Sequence, residues 1–189
     1  ISECLVGSEM CIRDRVGSEF LKLKGTWIFW IHLGVPVAGA GLFLLYGVAA
    51  KREWQSVLEF YAETLAIVYP SVSAIICMQS VMQELKAGNF QNLLCVSTLR
   101  WSAVLRKILT LWILGLAASL LAFLLFGMGV WGTKAAWNLS VKEYLICGLI
   151  LWITQAGIYL LHFFLAMRFG SGACLAAGVL SLIHISEPT

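Results

Sequence analysis

Few side chains in this 189-residue chain are suited to chemistry, and their spacing excludes most of what such groups do. Glu59 and Glu63 stand four apart, so a helix through them carries both carboxylates on one face, where they could hold a cation. Buried at membrane depth they are candidate contacts for a cationic substrate; at an interface they are simply solvated. His32 and His162 lie 130 residues apart with no acidic residue at helical spacing, and read as packed or interfacial side chains. As ionisable groups within or near apolar spans they stay on the list of functional candidates. Cys77, Cys95, Cys147 and Cys174 form no C-x-x-C pair, and three of them sit in apolar runs, so they read as small polarizable packing residues. Catalytic and metal constellations are missing, and so is a G-x-x-x-x-G-K-S/T loop. Any ATP chemistry belongs to another chain.

One segment points to a different kind of function. Glu84-Leu85-Lys86-Ala87-Gly88-Asn89-Phe90-Gln91-Asn92-Leu93-Leu94 is a polar, partly amphipathic stretch between two long apolar ones. A chain that needs only to turn round uses a few loop residues, so this one reads as a docking element. Lys86, Asn89 and Gln91 supply polar contacts; Phe90 with Leu93 or Leu94 supplies apolar anchors. That mixture suits a short helix seated in a groove of a soluble partner. The bland alternative is an interfacial helix that binds no partner.

The elements that position these residues follow from composition. Hydrophobic residues make up 60% of the chain and charged ones 12%, with three Pro; mean hydropathy is +0.88. Such a chain belongs in a membrane. A spanning helix takes roughly 20 apolar residues, and four windows qualify: Trp27 to Ala50, Phe60 to Met82, Ile108 to Val130 and Tyr144 to Met167. A fifth begins near Gly172 and is cut short. The expected fold is an all-α polytopic transmembrane bundle. Val16 to Gly25 reads as an amphipathic lead-in along the surface, followed by Trp27 and Trp30 at the interface. Thr154 and Gln155 in the fourth window, and Ser71, Ser73 and Gln79 in the second, can hydrogen-bond between helices.

The two ends read as non-biological. Leu180 to Thr189 is encoded by CTGTCTCTTATACACATCTCCGAGCCCACG, and the reverse complement of that DNA encodes most of Leu5 to Arg15. Unrelated protein termini do not share complementary strands, so residues 1–15 and 180–189 are expected to be translated sequencing adapter. They are set aside from fold reasoning, which leaves a natural segment from about Val16 to Val179, expected to be an internal fragment of a longer gene. Without the ends, 13 Lys+Arg against 10 Asp+Glu becomes eleven against six, about +5.

Loop charge sets the orientation. With the N-terminus inside, Lys22, Lys24, Lys86, Arg100, Arg106, Lys107 and Arg168 are cytoplasmic, against Lys51, Arg52, Lys134 and Lys142 outside. Seven against four places the Glu84 segment in the cytoplasm.

The order of features from Glu84 onward carries a resemblance. Glu84, Gly88, the Phe90-Gln91-Asn92-Leu93-Leu94 run, Ser97-Thr98-Leu99-Arg100 and then Arg106-Lys107 resemble the first cytoplasmic loop of ABC-2 type exporter permeases. Ala87 to Leu94, together with Glu19-Phe20-Leu21-Lys22-Leu23-Lys24 and the Trp-rich first span, is more similar still to the permease subunits of lantibiotic immunity transporters. The likeness extends over Val16 to Val179. The commoner exporter loop has Pro before Arg100 where this chain has Ser97-Thr98. The resemblance implies a six-span subunit of which four to five spans are present here, in a bacterial plasma membrane. It implies a second permease and a cytoplasmic ATPase dimer that binds ATP and Mg, with no cofactor on this chain and no nucleic-acid partner. Glu84, Lys86, Gly88, Asn89, Phe90, Gln91, Asn92, Leu93 and Leu94 would couple to the ATPase, and the cargo would be a membrane-embedded peptide. Two alternatives stay open: an exporter of a drug, lipid or polysaccharide, and a carrier or scaffold outside this family, although carriers place ionisable or unwound sites at mid-membrane.

Two expectations are directly testable. An intact genomic copy of the gene should diverge from this sequence before Val16 and after Val179; finding both ends there overturns the adapter assignment. A topology reporter fused after Gln91 should be active only in the cytoplasm.

Overall fold

The computed structural model describes residues 25–88, 90, 100–133 and 140–186. All regular elements among them are α-helices: α1 Trp27–Ala50, α2 Trp54–Lys86, α3 Arg100–Gly132, α4 Val141–Phe169 and α5 Ser171–Ser186. The first four, α3 from Ala103 onward, are long and apolar enough to cross a membrane. A helix satisfies its backbone groups internally, which hydrocarbon demands, so the expected helical bundle is the observed one.

α1 coincides with its apolar window, whereas α2 begins at Trp54 rather than Phe60 and ends at Lys86 rather than Met82, and α3 begins at Arg100 rather than Ile108. Apolar windows mark only what oil tolerates; the backbone ladder continues wherever polar side chains can reach water. At 1.5 Å per residue, the 33 residues of α2 extend about 50 Å against a hydrocarbon core of about 30 Å, so its ends must emerge or the helix must tilt. Lys51, in the left-handed region at φ 48, turns α1 into α2. Ser140 and Glu143 form a reciprocal capping box that starts α4. α5 runs through Leu180–Ser186, the stretch read as adapter; an apolar run extends a helix already nucleated, so its conformation does not bear on that assignment.

Packing places α1 against α2 and α3, and α4 against the same two helices. The four therefore form a ring in the order α1, α2, α4, α3, with α2 and α3 facing each other across a diagonal. Long side chains fill that diagonal: Tyr61 Oη donates to the Ala122 carbonyl at 3.3 Å and its ring stacks on Phe126 at 5.0 Å. α5 packs on the outside of α2 and α4. Ser71 Oγ donates to the Gly178 carbonyl at 2.9 Å, an approach possible because a Cβ on Gly178 would lie 2.6 Å from that of Ala74.

The distribution of polarity is that of a membrane protein. Leu42, Leu45, Ile150, Ile153 and Phe164 are exposed, whereas His32, Ser73, Ser80, Glu84, Lys107, Thr110, Ser119, Gln155 and His162 are buried. Lipid is as apolar as Leu, so burial of apolar surface does not hold helices together there; packing and hydrogen bonds do. A reciprocal pair joins α3 to α4. Trp112 Nε1 donates to the Trp152 carbonyl at 3.1 Å, Trp152 Nε1 donates to the Trp112 carbonyl at 2.8 Å, and the rings stack at 4.1 Å.

Trp112→Phe and Trp152→Phe should each destabilise the protein in detergent by about 1 kcal/mol, the scale of one interhelical hydrogen bond. The double variant should lose less than the sum of the two, as measured by a double-mutant cycle on unfolding; strict additivity would show that the two bonds do not act as a unit.

Candidate functional site

The ends of α2 and α3 meet where the polar segment begins. Glu84 lies in the last turn of α2 and Lys107 two turns into α3, and Lys107 Nζ makes an ion pair with Glu84 Oε1. The two side chains are only 6% and 8% exposed. The pair spans the same diagonal that Tyr61 and Phe126 span further along. Two charges brought out of water offset much of their attraction by lost hydration, but removing one partner strands the other at a cost of about 3–5 kcal/mol. Such a pair defines position more than it adds stability.

The segment then divides into an inward and an outward half. The Ala87 N–H donates to Gln83 O at 3.0 Å and the Gly88 N–H to Leu85 O at 3.4 Å, ending the helix. Gly88 has φ 131, a conformation that L side chains rarely adopt, and Phe90 has φ 65, unusual for a bulky residue. The Phe90 N–H donates back to Glu84 O at 3.4 Å, and its half-buried ring packs against the cluster containing Ile28, Ile76, Val81 and Ile108. Lys86, Ala87 and Gly88 are exposed. The helix α2 stops at Lys86 because Gly88 and Phe90 leave helical geometry. Glu84 and Phe90 face the spans, and Lys86 and Gly88 face outward. Asn89, Gln91, Asn92, Leu93 and Leu94 lie outside the described residues.

Glu59 and Glu63 occupy the other half of α2, and both are exposed. Gln55 Nε2 donates to Glu59 Oε1 at 3.4 Å; among the described residues neither carboxylate meets a cation. Between them Phe60 is 51% exposed and joins Phe43 and Tyr46 at 5.4 and 6.1 Å. Tyr61 and Leu65, which flank Glu63, touch Gly39, near the midpoint of the 24-residue α1. Glu63 thus stands well inside the helical stretch. A carboxylate at that depth is costly without a cation.

The remaining polar groups act mostly between helices. Ser73 Oγ donates to the Pro70 carbonyl at 2.8 Å and lies 3.1 Å from His162 Nδ1. His32 Nδ1 lies 2.8 Å from the Ile28 carbonyl, which can only accept. Cys77 and Cys174 are wholly buried and bond carbonyls of Tyr159, Ala74 and His162, as packing residues do. Ser71 and Ser73 bridge helices as expected, but Thr154 bonds Leu151 of its own helix. His32 Nε2, Tyr69 Oη, Ser80 Oγ and Gln155 Oε1 have no protein partner. Sequence reasoning missed Lys107 as the partner of Glu84, although Arg106-Lys107 before an apolar span marks a cation at that level. It missed Trp112 with Trp152 altogether, for lack of any local signal.

A family model described as ABC-2 family transporter protein matches residues 16–184. No curated protein and no solved structure matches the chain. Four apolar helices and a match over most of the length agree: the chain belongs to the ABC-2 transporter family, as a multi-pass membrane subunit of the kind that associates with an ABC ATPase.

Proposed function

We propose that this chain is the permease subunit of an ATP-driven exporter that protects a bacterium by moving a membrane-embedded antimicrobial peptide of the lantibiotic type away from its plasma membrane. The observation that carries this is the exposed tip Lys86-Ala87-Gly88 set directly on the buried Glu84–Lys107 pair. A contact on the tip acts at once on the ends of two spans. With the N-terminus in the cytoplasm, the tip faces a cytoplasmic ATPase dimer, which binds ATP and Mg; a second permease completes the pathway. The resemblance assigns Asn89 and Gln91 to Leu94 to the same docking role.

Cargo chemistry follows from the other half of α2. Glu63 at depth, with Glu59 one turn away and Phe60, Phe43 and Tyr46 beside them, suits a ligand that is both cationic and amphipathic. A lysine or arginine side chain would neutralise Glu63 while apolar residues lie on the exposed aromatic face. The likeness of Ala87 to Leu94 to lantibiotic immunity permeases supports the same cargo.

In the full-length protein with its ATPase, Phe90→Ala combined with Gly88→Pro should lower peptide resistance at least about tenfold, the scale of a coupling free energy, with membrane insertion unchanged. Undiminished resistance removes the coupling assignment. Glu63→Gln should reduce export of a cationic peptide several-fold and leave export of a neutral analogue unaffected; equal loss for both would place Glu63 outside the cargo path.

A further inference from the structure

We propose that Glu84 and Lys107 form a clamp that stays closed throughout the transport cycle, so that α2 and α3 move as one lever when the segment between them is displaced; this rests on the coupling reading above. Glu84 is the node. Its carboxylate holds Lys107 of α3, its carbonyl accepts the N–H of Phe90, and its own backbone is the last turn of α2. One residue therefore ties the start of the segment to both helices. The Phe90 ring, packed against the cluster that contains Ile28, Val81 and Ile108, seats the same junction on it.

Geometry distinguishes a clamp from a gate. α2 and α3 are diagonal partners of the ring, with α1 and α4 on its flanks, and the two charged side chains are only 6% and 8% exposed. Opening would leave a carboxylate and an ammonium buried without a counter-charge, and among the described residues no second carboxylate is buried near Lys107. An unpaired charge in that position is the most unfavourable way to change state. Moving both helices together keeps the pair intact and transmits a push on Lys86 to Gly88 without loss.

The test uses the full-length permease with its ATPase in proteoliposomes, reading both ATP hydrolysis and cargo moved. Glu84→Gln and Lys107→Gln should each lower cargo moved per ATP about tenfold, with the ATPase still bound. The exchange Glu84→Lys with Lys107→Glu should restore it. In a cysteine-free background, Glu84→Cys with Lys107→Cys should be uncoupled, and a short, reducible bis-methanethiosulfonate cross-linker should restore coupling until reductant is added. Cross-linking that leaves the protein inactive, with activity of the exchanged pair only when the ends are free, would make the pair a gate and overturn the clamp. Parallel loss of hydrolysis and transport, unrelieved by exchange or cross-linking, would reduce it to a folding contact and overturn it equally. Loss of the ATPase from the singly substituted proteins would instead count against the docking segment, as would normal transport by the Phe90 and Gly88 double variant.

Discussion

Hydrocarbon offers no hydrogen-bond partner, and the architecture is a response to that single constraint. A polar side chain gains by finding its complement inside the bundle or by reaching the membrane surface. The helical backbone solves the problem for itself, but side chains must solve it in pairs. The indoles of Trp112 and Trp152, the Ser71 hydroxyl on Gly178 and the Ser73–His162 contact are each such a solution. They tie particular helices together in particular registers, which generic apolar packing in lipid does not do.

The same constraint acts most strongly on charge. Lys107 and Glu84 are the buried cation and carboxylate among the described residues, and they neutralise each other across a diagonal that the backbones leave open. Among the described residues Glu63 has no such partner, and it is exposed rather than buried. One carboxylate is thus resolved by a cation of the same chain; the other meets none among the described residues. The two carboxylates sit in opposite halves of one helix.

How much of this could be read from residues alone depends on the range of the interaction. Spans were legible because an apolar run of sufficient length has one destination, and α1 matches its window at both ends. The extensions of α2 and α3 were not, since hydropathy reports oil and not hydrogen-bond continuity. The segment from Glu84 was legible as a functional element from its polarity and order, yet its division into inward and outward halves depends on the φ of Gly88 and Phe90, which tertiary packing imposes. Glu84 with Lys107, 23 residues apart, and Trp112 with Trp152, 40 apart, are set by helix placement and leave no periodic trace.

The self-sufficiency of the Trp112–Trp152 staple has a bearing on biogenesis. Both indole N–H groups are satisfied by α3 and α4 alone, so this hairpin can leave the insertion machinery with its costliest donors already matched. α2 cannot, because Ser71 waits for Gly178, 107 residues downstream, and Ala74 receives Cys174 100 residues downstream. During synthesis α2 therefore stays an unfinished surface until α5 arrives.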